Sequence, residues 1–164
     1  MQYILFTCPL PPSVNESLAS VNGRLIKTLK SRKFLTQAID AFKTDATYRD
    51  ALSLAGGWVK AKYALKVDCY FVWPRNQILN TGAKAQNWAH RRDAHNRSKQ
   101  LHDALSEAMM IDDMYFFAGD TEKIINDKIQ EPYAMVRITK HTPRTIHDLW
   151  RQFQNEDYTA TNKA

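Results

Sequence analysis

A strictly alternating run between residues 61 and 73 constrains the fold more than any other feature of this sequence. Lys66 and Asp68 alternate there with apolar side chains at the odd-numbered positions, namely Tyr63, Leu65, Val67, Cys69, Phe71 and Trp73. Successive side chains of a strand point to opposite faces, so this period predicts a half-buried strand, closed by Pro74. Such a strand needs an apolar layer to cover it, and the flanking segments have to supply that layer.

The segments before this run predict a strand, a tight turn and a helix. Residues 2–8 have a strand pattern that the prolines of PLPPSVN stop. Asn22-Gly23 predicts a tight turn with a short strand after it. An apolar period of three to four residues then predicts one helix from a cap at Ser31 to about residue 54, ended by Gly56-Gly57.

The segments after the run complete a mixed order of strands and helices. Residues 74–90 have no period and predict a long basic loop. A second helix is predicted by an apolar stripe made of Leu101, Ala104, Leu105, Ala108 and Met109. Two more strands, at 121–129 and 133–140, precede a short amphipathic C-terminal helix at 145–155. We therefore expect one α+β domain over residues 1–155, with a mixed sheet of about four strands and two main helices, and a frayed tail at 156–164.

Charge and cysteine content restrict the class of protein. The net charge is +6 over 164 residues, which favours a polyanionic partner without requiring one. Cys8 and Cys69 lie in apolar, strand-like runs without zinc-ligand spacing, so we expect both to be buried and reduced. No segment has the pattern of a signal peptide or the apolar length of a membrane span. We expect a cytoplasmic protein with no membrane partner.

Acidic residues bracket the second helix. Asp93 precedes it, Asp112-Asp113 follow it, and Lys99 lies one turn in. Carboxylates from separate elements typically hold a magnesium ion, which prefers hard oxygen ligands. A helix of about 17 residues is roughly 25 Å long, so its two ends meet only if the chain folds back. The same spacing is compatible with Asp93 as a helix cap, Asp112-Asp113 as a polar turn and Lys99 as an ion-pair partner of Asp103.

The residues around Asp93 also permit two interpretations. Trp88, Arg91 and Arg92 can stack on and clamp a phosphodiester backbone, or they can form an ordinary solvated loop. Taken alone, His95 is a surface or capping histidine. Spacing therefore does not by itself establish a site.

Four motifs, in order along the chain, resemble those of the RusA family of Holliday junction resolvases. They are PPSVN at 11–15, NGR at 22–24, RRDAHNRSKQLHDAL at 91–105 and IDD at 111–113, and the resemblance covers roughly residues 2–140. It implies a RusA-like α+β fold and a metal-dependent DNA endonuclease that cuts four-way junctions. It also implies a homodimer making paired, symmetric nicks in the DNA recombination and repair of bacteria and their phages.

The resemblance implies a role for each matched residue. Asp93 and Asp113 take the place of metal-binding carboxylates, with Asp112 beside them, and Lys99 that of the catalytic-site lysine. The implied cofactor is Mg²⁺. Five positions are implied to contact DNA: Asn15, Arg24, Lys33, Arg91 and Arg92.

Two positions depart from the family pattern. His95 stands where the family has the second aspartate of a D-x-D pair, and Arg97 stands where it has a leucine at the edge of the buried stripe. Imidazole suits Mn²⁺ and other transition metals better than Mg²⁺, so we expect His95 either to shift the metal preference toward Mn²⁺ or to weaken the site. If catalysis is lost, the alternative is a non-catalytic junction-binding protein on the same scaffold. A basic RNA-binding module is a third interpretation, although the aromatic sheet motif of RNA-recognition domains is absent from the sequence.

Overall fold

The elements follow one another as strands, helices and strands again. The structure, a computed structural model, describes residues 2–21, 23–78, 94–148, 150 and 151. In chain order the elements are β1 (Tyr3–Pro9), α1 (Val14–Ser17), β2 (Leu18–Val21), β3 (Arg24–Lys27), α2 (Leu29–Thr44), α3 (Tyr48–Lys60), β4 (Ala64–Trp73), α4 (Arg75–Ile78), α5 (His95–Met109), a 3₁₀ turn (Asp113–Tyr115), β5 (Phe116–Ala118), β6 (Thr121–Ile125) and β7 (Tyr133–His141).

The alternating run forms the centre of a mixed five-stranded sheet. β4 pairs antiparallel with β7, which pairs antiparallel with β1 at the edge. On its other side β4 pairs in parallel with β5 and then with β6. The α+β class with a mixed sheet is confirmed, with one strand more than the four expected. The extra strand is the three-residue β5, which is too short to show a period of its own.

One face of this sheet carries the core. The odd-numbered residues of β4 from Leu65 to Trp73 are all buried, as the alternation predicts. The register places residues of β1 and β7 on the same face, where they join the core: Ile4, Phe6, Cys8, Ala134, Val136 and Ile138. On the opposite face the expectation of a half-buried strand is wrong at Asp68, whose carboxylate is fully buried under an ionic network.

The first predicted helix is two helices. α2 is capped by Thr28, whose hydroxyl accepts from the backbone N–H of Ser31 at 3.2 Å, so the predicted cap at Ser31 is wrong. After Thr44 the Asp45 carboxylate accepts from the N–H of Thr47 at 2.8 Å, a local turn that competes with helix continuation. α3 then starts afresh at residue 48.

The glycine pair at residues 56 and 57 does not end a helix. Both glycines lie inside α3, which ends at Lys60. The chain turns out of the helix at Lys62, which has a left-handed φ of 62°. Glycine is permissive rather than obligatory at a helix end, and here the reversal that leads into β4 sets the boundary.

The second predicted helix is confirmed as α5. All five residues of its predicted stripe are buried against the sheet and α2. The strand predicted at 121–129 is shorter, because the Asn126 side chain accepts from the N–H of Lys128 at 3.0 Å and turns the chain after β6. Most of the loop predicted at 74–90 lies outside the described residues, and its first turn, at 75–78, is α4.

The C-terminal segment is helical at residues 146–148 and 150–151. Ile146 and Trp150, two apolar residues of the predicted helix, are exposed. The tail predicted at 156–164 lies outside the described residues. Among the helices that the structure describes, none is long and apolar enough to cross a lipid bilayer.

Candidate active site

The structure describes some of the predicted site residues and not others. Arg91, Arg92 and Asp93 lie outside the described residues, as do the side chains of Asn15 and His95. The described site residues are Arg24, Lys33, Lys99, Asp112 and Asp113, and all five are exposed. The contacts around these five residues show which parts of the predicted site lie near one another.

Lys99 projects from the first half of α5 into solvent. Its possible partner Asp103, one turn further along, is instead in an ion pair with Lys27 of β3, at 3.2 Å. No ion pair formed among the described residues includes Lys99. The alternative that Lys99 only forms a surface pair with Asp103 is therefore not what the structure shows.

The chain reverses direction directly after α5. Met110 has a left-handed φ of 53°, and Ile111 is fastened to the last helical turn through Ser106, whose hydroxyl donates to the Ile111 carbonyl at 2.7 Å. Asp112 then caps the 3₁₀ turn by accepting from the Met114 N–H at 2.9 Å. Asp113 is the first residue of that turn. The polar-turn alternative for Asp112 is thus observed, and it leaves the second Asp112 oxygen available.

His102 shows how far back along α5 the reversed chain runs. Its ring lies edge-on to Phe116, with centroids 5.6 Å apart, and its Nε2 is 3.5 Å from the Cys69 sulfur. Burial lowers the His102 pKa, and the negative charges of Asp113 and Asp103 oppose that shift without cancelling it. The chain after the reversal therefore lies against α5 at His102, where Phe116 contacts the ring.

This contact shows that the chain carrying the second acidic motif runs back along α5. His102 lies three residues after Lys99, so the two share a helix face. The reversal at Met110 consequently directs the segment from Asp113 to Phe116 back toward the turn that carries His102. Sequence reasoning missed His102, although its i+3 spacing from Lys99 was a usable signal.

A second set of contacts fastens the PPSVN turn to α5. Gln100 donates through Nε2 to the Pro12 carbonyl and to the Ser17 hydroxyl, each at 2.7 Å, and accepts from Ser31 of α2 at 3.2 Å. Arg97 donates to the Pro11 carbonyl. Side chains of α5 thus donate hydrogen bonds to two adjacent backbone carbonyls of the proline turn, which does not pair in a sheet. The proline turn is thereby held against α5 at Arg97 and Gln100, which lie on either side of Lys99 in the sequence.

Arg97 is buried rather than at the edge of the stripe. Only 5% of it is exposed, and its guanidinium carbon lies 6.0 Å from the centroid of the Trp73 ring. An arginine can occupy this position of the buried stripe because a backbone carbonyl and an aromatic face compensate its desolvation. At the position where the family has a leucine, this chain therefore has an arginine that links α5 to the proline turn.

A cavity of about 570 Å³ lies next to this connection. Its wall includes Arg97 and Trp73 together with Lys30 and Lys33 of α2. Lys30 is paired with Glu16, whose pKa is lowered to about 2, first by its hydrogen bond from Lys30 and then by those from Ser13. The positive charge of Lys33 is therefore adjacent to the N-terminal half of α5.

An ionic network secures the segment that follows Asp113. The Asp68 carboxylate accepts from Arg137 at 2.7 and 3.1 Å and from the backbone N–H of Asp120 at 3.0 Å, and Lys66 is 3.2 Å away. Gly119 permits this close approach, since a Cβ there would lie 2.0 Å from the Val67 carbonyl oxygen. The path from Asp113 through β5 to β6 is thereby anchored to the central strand.

The donor chemistry of the described site suits a hard divalent cation. Asp112 and Asp113 are exposed carboxylates on one tight turn, and magnesium prefers such oxygen ligands. Within the described ranges, no three His, Cys, Asp or Glu residues are grouped so that they could hold a metal ion. Asp93 and the His95 side chain, which the resemblance implies as further ligands, lie outside the described residues.

Comparison with known proteins connects this arrangement to one family. The family model described as "Endodeoxyribonuclease RusA" matches residues 9–139. No curated protein matches the chain. Among solved structures, 2C-methyl-D-erythritol 2,4-cyclodiphosphate synthase from Plasmodium vivax aligns at 12% identity, over 85% of this chain and 95% of that one, with a TM-score of 0.22, which carries no argument. Because the family model spans most of the chain, including every motif from the proline turn to the acidic turn, the chain belongs to the RusA family of endodeoxyribonucleases.

Proposed function

We propose that this chain is a metal-dependent endonuclease that resolves four-way DNA junctions by paired, symmetric nicks. The observation that supports the proposal is the chain reversal after α5, which runs the segment from Asp113 to Phe116 back along the helix, so that Phe116 contacts the His102 ring. Membership of an endodeoxyribonuclease family supports the choice of DNA as the substrate. The net charge of +6 suits a polyanion.

Asp93 and Asp113 would hold the metal ion, with Asp112 or His95 completing the ligand set. A bound divalent cation supplies an activated water and offsets charge on the scissile phosphate. Lys99 directs its ammonium group at the same phosphate and stabilises the charge that develops there. The Gln100 contacts fasten the proline turn, which leads to Asn15, to α5 at the residue after that lysine.

A cleavage assay on a four-way junction tests this proposal. Lys99→Ala should still bind the junction and should lose most cleavage, because the charge on the phosphate is no longer stabilised at its site. Lys60→Ala is the matched control: Lys60 is an exposed lysine in the last turn of α3, and its loss changes the net charge by the same amount. Equal cleavage rates for the two variants would show that Lys99 is only a surface residue.

Metal dependence is tested in parallel with Mg²⁺ and Mn²⁺. A nitrogen ligand at His95 favours Mn²⁺, so wild type should cleave faster with Mn²⁺ than with Mg²⁺. His95→Asp should raise the Mg²⁺-supported rate, and Asp113→Asn should abolish cleavage with either ion. If junctions are bound but neither ion supports cleavage by wild type or His95→Asp, the non-catalytic binding protein is the better conclusion.

Two symmetric nicks require two equivalent sites, so we propose a homodimer. Light scattering at micromolar concentration should give about twice the subunit mass of 19.0 kDa. A stable monomer that still makes paired nicks would contradict this part of the proposal.

A further inference from the structure

The hairpin β2–β3 and the first turn of α2 form a separate, strongly basic arm, residues 18–33. The hairpin is a two-stranded sheet of its own and does not pair with the five-stranded sheet. The arm has no acidic residue and five basic ones: Arg24, Lys27, Lys30, Arg32 and Lys33. The arm therefore holds five of the 23 lysines and arginines of the chain in one short segment that has no acidic residue.

The arm also exposes apolar side chains. Val21 is 47% exposed and Ile26 is 45% exposed. The register, with Val21 opposite Arg24 and Ala19 opposite Ile26, puts these side chains on one face of the hairpin. A two-stranded hairpin is only marginally stable by itself, so apolar side chains left in water on it indicate a surface that meets a partner.

The arm is attached to α5, the helix that carries Lys99. Lys27, on the other face of the hairpin, pairs with Asp103 of α5 at 3.2 Å. At the base of the arm the Thr28 N–H donates to the Ser17 carbonyl at 2.9 Å, and Ser31 donates to Gln100. Val21 and Ile26 therefore lie on the hairpin face away from the Lys27–Asp103 pair.

We propose that the arm is a wedge that places Val21 and Ile26 against unstacked bases at the branch point of the junction, while Arg24 contacts the neighbouring phosphates. Apolar side chains on basic elements separate base steps in this way, at the cost of lost base stacking. That cost is lowest at a branch point, where stacking is already interrupted. This inference rests on the proposed function and deepens it by naming the part of the junction that is recognised.

Charge favours DNA over a second copy as the occupant of this surface. Lys27 and Lys30 are paired with Asp103 and Glu16, but two arms facing one another across a two-fold axis would still bring Arg24, Arg32 and Lys33 of each copy together, without an acidic residue in either arm. A phosphate backbone next to exposed bases supplies both the negative charge and the apolar surface that the arm requires.

A junction carrying 2-aminopurine at the branch point tests the wedge. This base fluoresces more strongly when it is unstacked, and the measurement in EDTA needs no cleavage. Wild type should raise the fluorescence and bind the junction more tightly than a linear duplex. The double variant Val21→Ser, Ile26→Ser should abolish the rise and weaken junction binding at least tenfold, with duplex binding unchanged. Val21→Trp, which enlarges the stacking surface, should raise the fluorescence above the wild-type level.

Leu5→Ser is the matched control, since Leu5 is 39% exposed and lies on β1 in the five-stranded sheet. It should behave as wild type. If the double variant raises the fluorescence as much as wild type does, Val21 and Ile26 do not act as a wedge, and the proposed preference for junctions is unaffected. Wild type that binds junction and duplex equally would overturn both the wedge and the proposed function. If the double variant, and not Leu5→Ser, shifts the protein to monomers in light scattering, the arm joins two copies and the wedge is wrong.

Discussion

Replacing Arg137 by leucine should destabilise the protein by about 2–3 kcal/mol at pH 7. The change removes two charge-assisted hydrogen bonds to the buried Asp68 carboxylate, at 2.7 and 3.1 Å. Breaking a fully buried pair costs roughly 3–5 kcal/mol. The cost is lower here because the Arg137 side chain is 43% exposed and because Lys66 and the Asp120 N–H continue to compensate the carboxylate.

Urea unfolding followed by tryptophan fluorescence, at one fixed protein concentration, measures this loss. Arg75→Leu is the matched control. Arg75 makes two hydrogen bonds to Asp127, at 2.8 and 3.0 Å, but both side chains are well exposed, so its loss should have little measurable effect. If the two leucine variants lose the same stability, burial of Asp68 does not determine the strength of the network.

The pH dependence gives a second signature of the same network. Burial by itself would raise the Asp68 pKa, but the hydrogen bonds from Arg137 and Asp120 and the charge of Lys66 outweigh it and hold the pKa below its ordinary value of 3.8. A carboxyl whose pKa is lowered by folding contributes stability above the unfolded pKa and loses it as the pH falls through the folded one. The stability difference between wild type and Asp68→Asn should therefore be constant near neutral pH and shrink below about pH 4. A difference that stays the same down to pH 2 would contradict this sign.

Three further predictions concern single positions. Gly57→Ala should stabilise α3 by about 0.5–1 kcal/mol, because its Cβ would meet nothing within 4 Å. Gly119→Ala should instead destabilise the protein by about 1–3 kcal/mol, because its Cβ would collide with the backbone of β4. Equal effects of the two variants in urea unfolding would refute the close approach at Gly119. Cys8 and Cys69 should not react with a thiol reagent at pH 8 until the protein unfolds, because burial raises the pKa of each to about 12; rapid labelling of the folded protein would contradict their burial. Gln100→Leu should lower the cleavage rate more than junction affinity, because the proline turn loses its anchor; an unchanged rate constant at saturating enzyme would show that the anchor is dispensable.

The regular parts of the fold could be predicted from the sequence. The alternation of β4 and the stripe of α5 are periodic patterns that identify which side chains face the core, and both are confirmed by burial. The hairpin turn was also predictable from Asn22-Gly23, since Gly23 has a φ of +75° that favours glycine. Asn22 itself lies outside the described residues.

The interruptions of these patterns were less predictable. The break between α2 and α3 depends on a two-residue side-chain turn at Asp45, and an apolar period continues across it unchanged. The end of α3 depends on where the chain must enter the sheet, so the glycine pair was a misleading signal. A boundary of this kind is decided by tertiary contacts that outweigh local propensity.

The candidate site also has one part that the sequence predicts and another that it does not. The sequence by itself determined the two acidic motifs and Lys99, because their residue types and spacing are local properties of the chain. Only the tertiary structure decided that the chain after Asp113 runs back along α5, that Asp103 pairs with Lys27 across 76 residues, and that Arg97 is buried. The physical reason is that periodicity reports which residues share a face, whereas the partner of a polar side chain depends on which distant segment the folded chain brings within hydrogen-bonding distance.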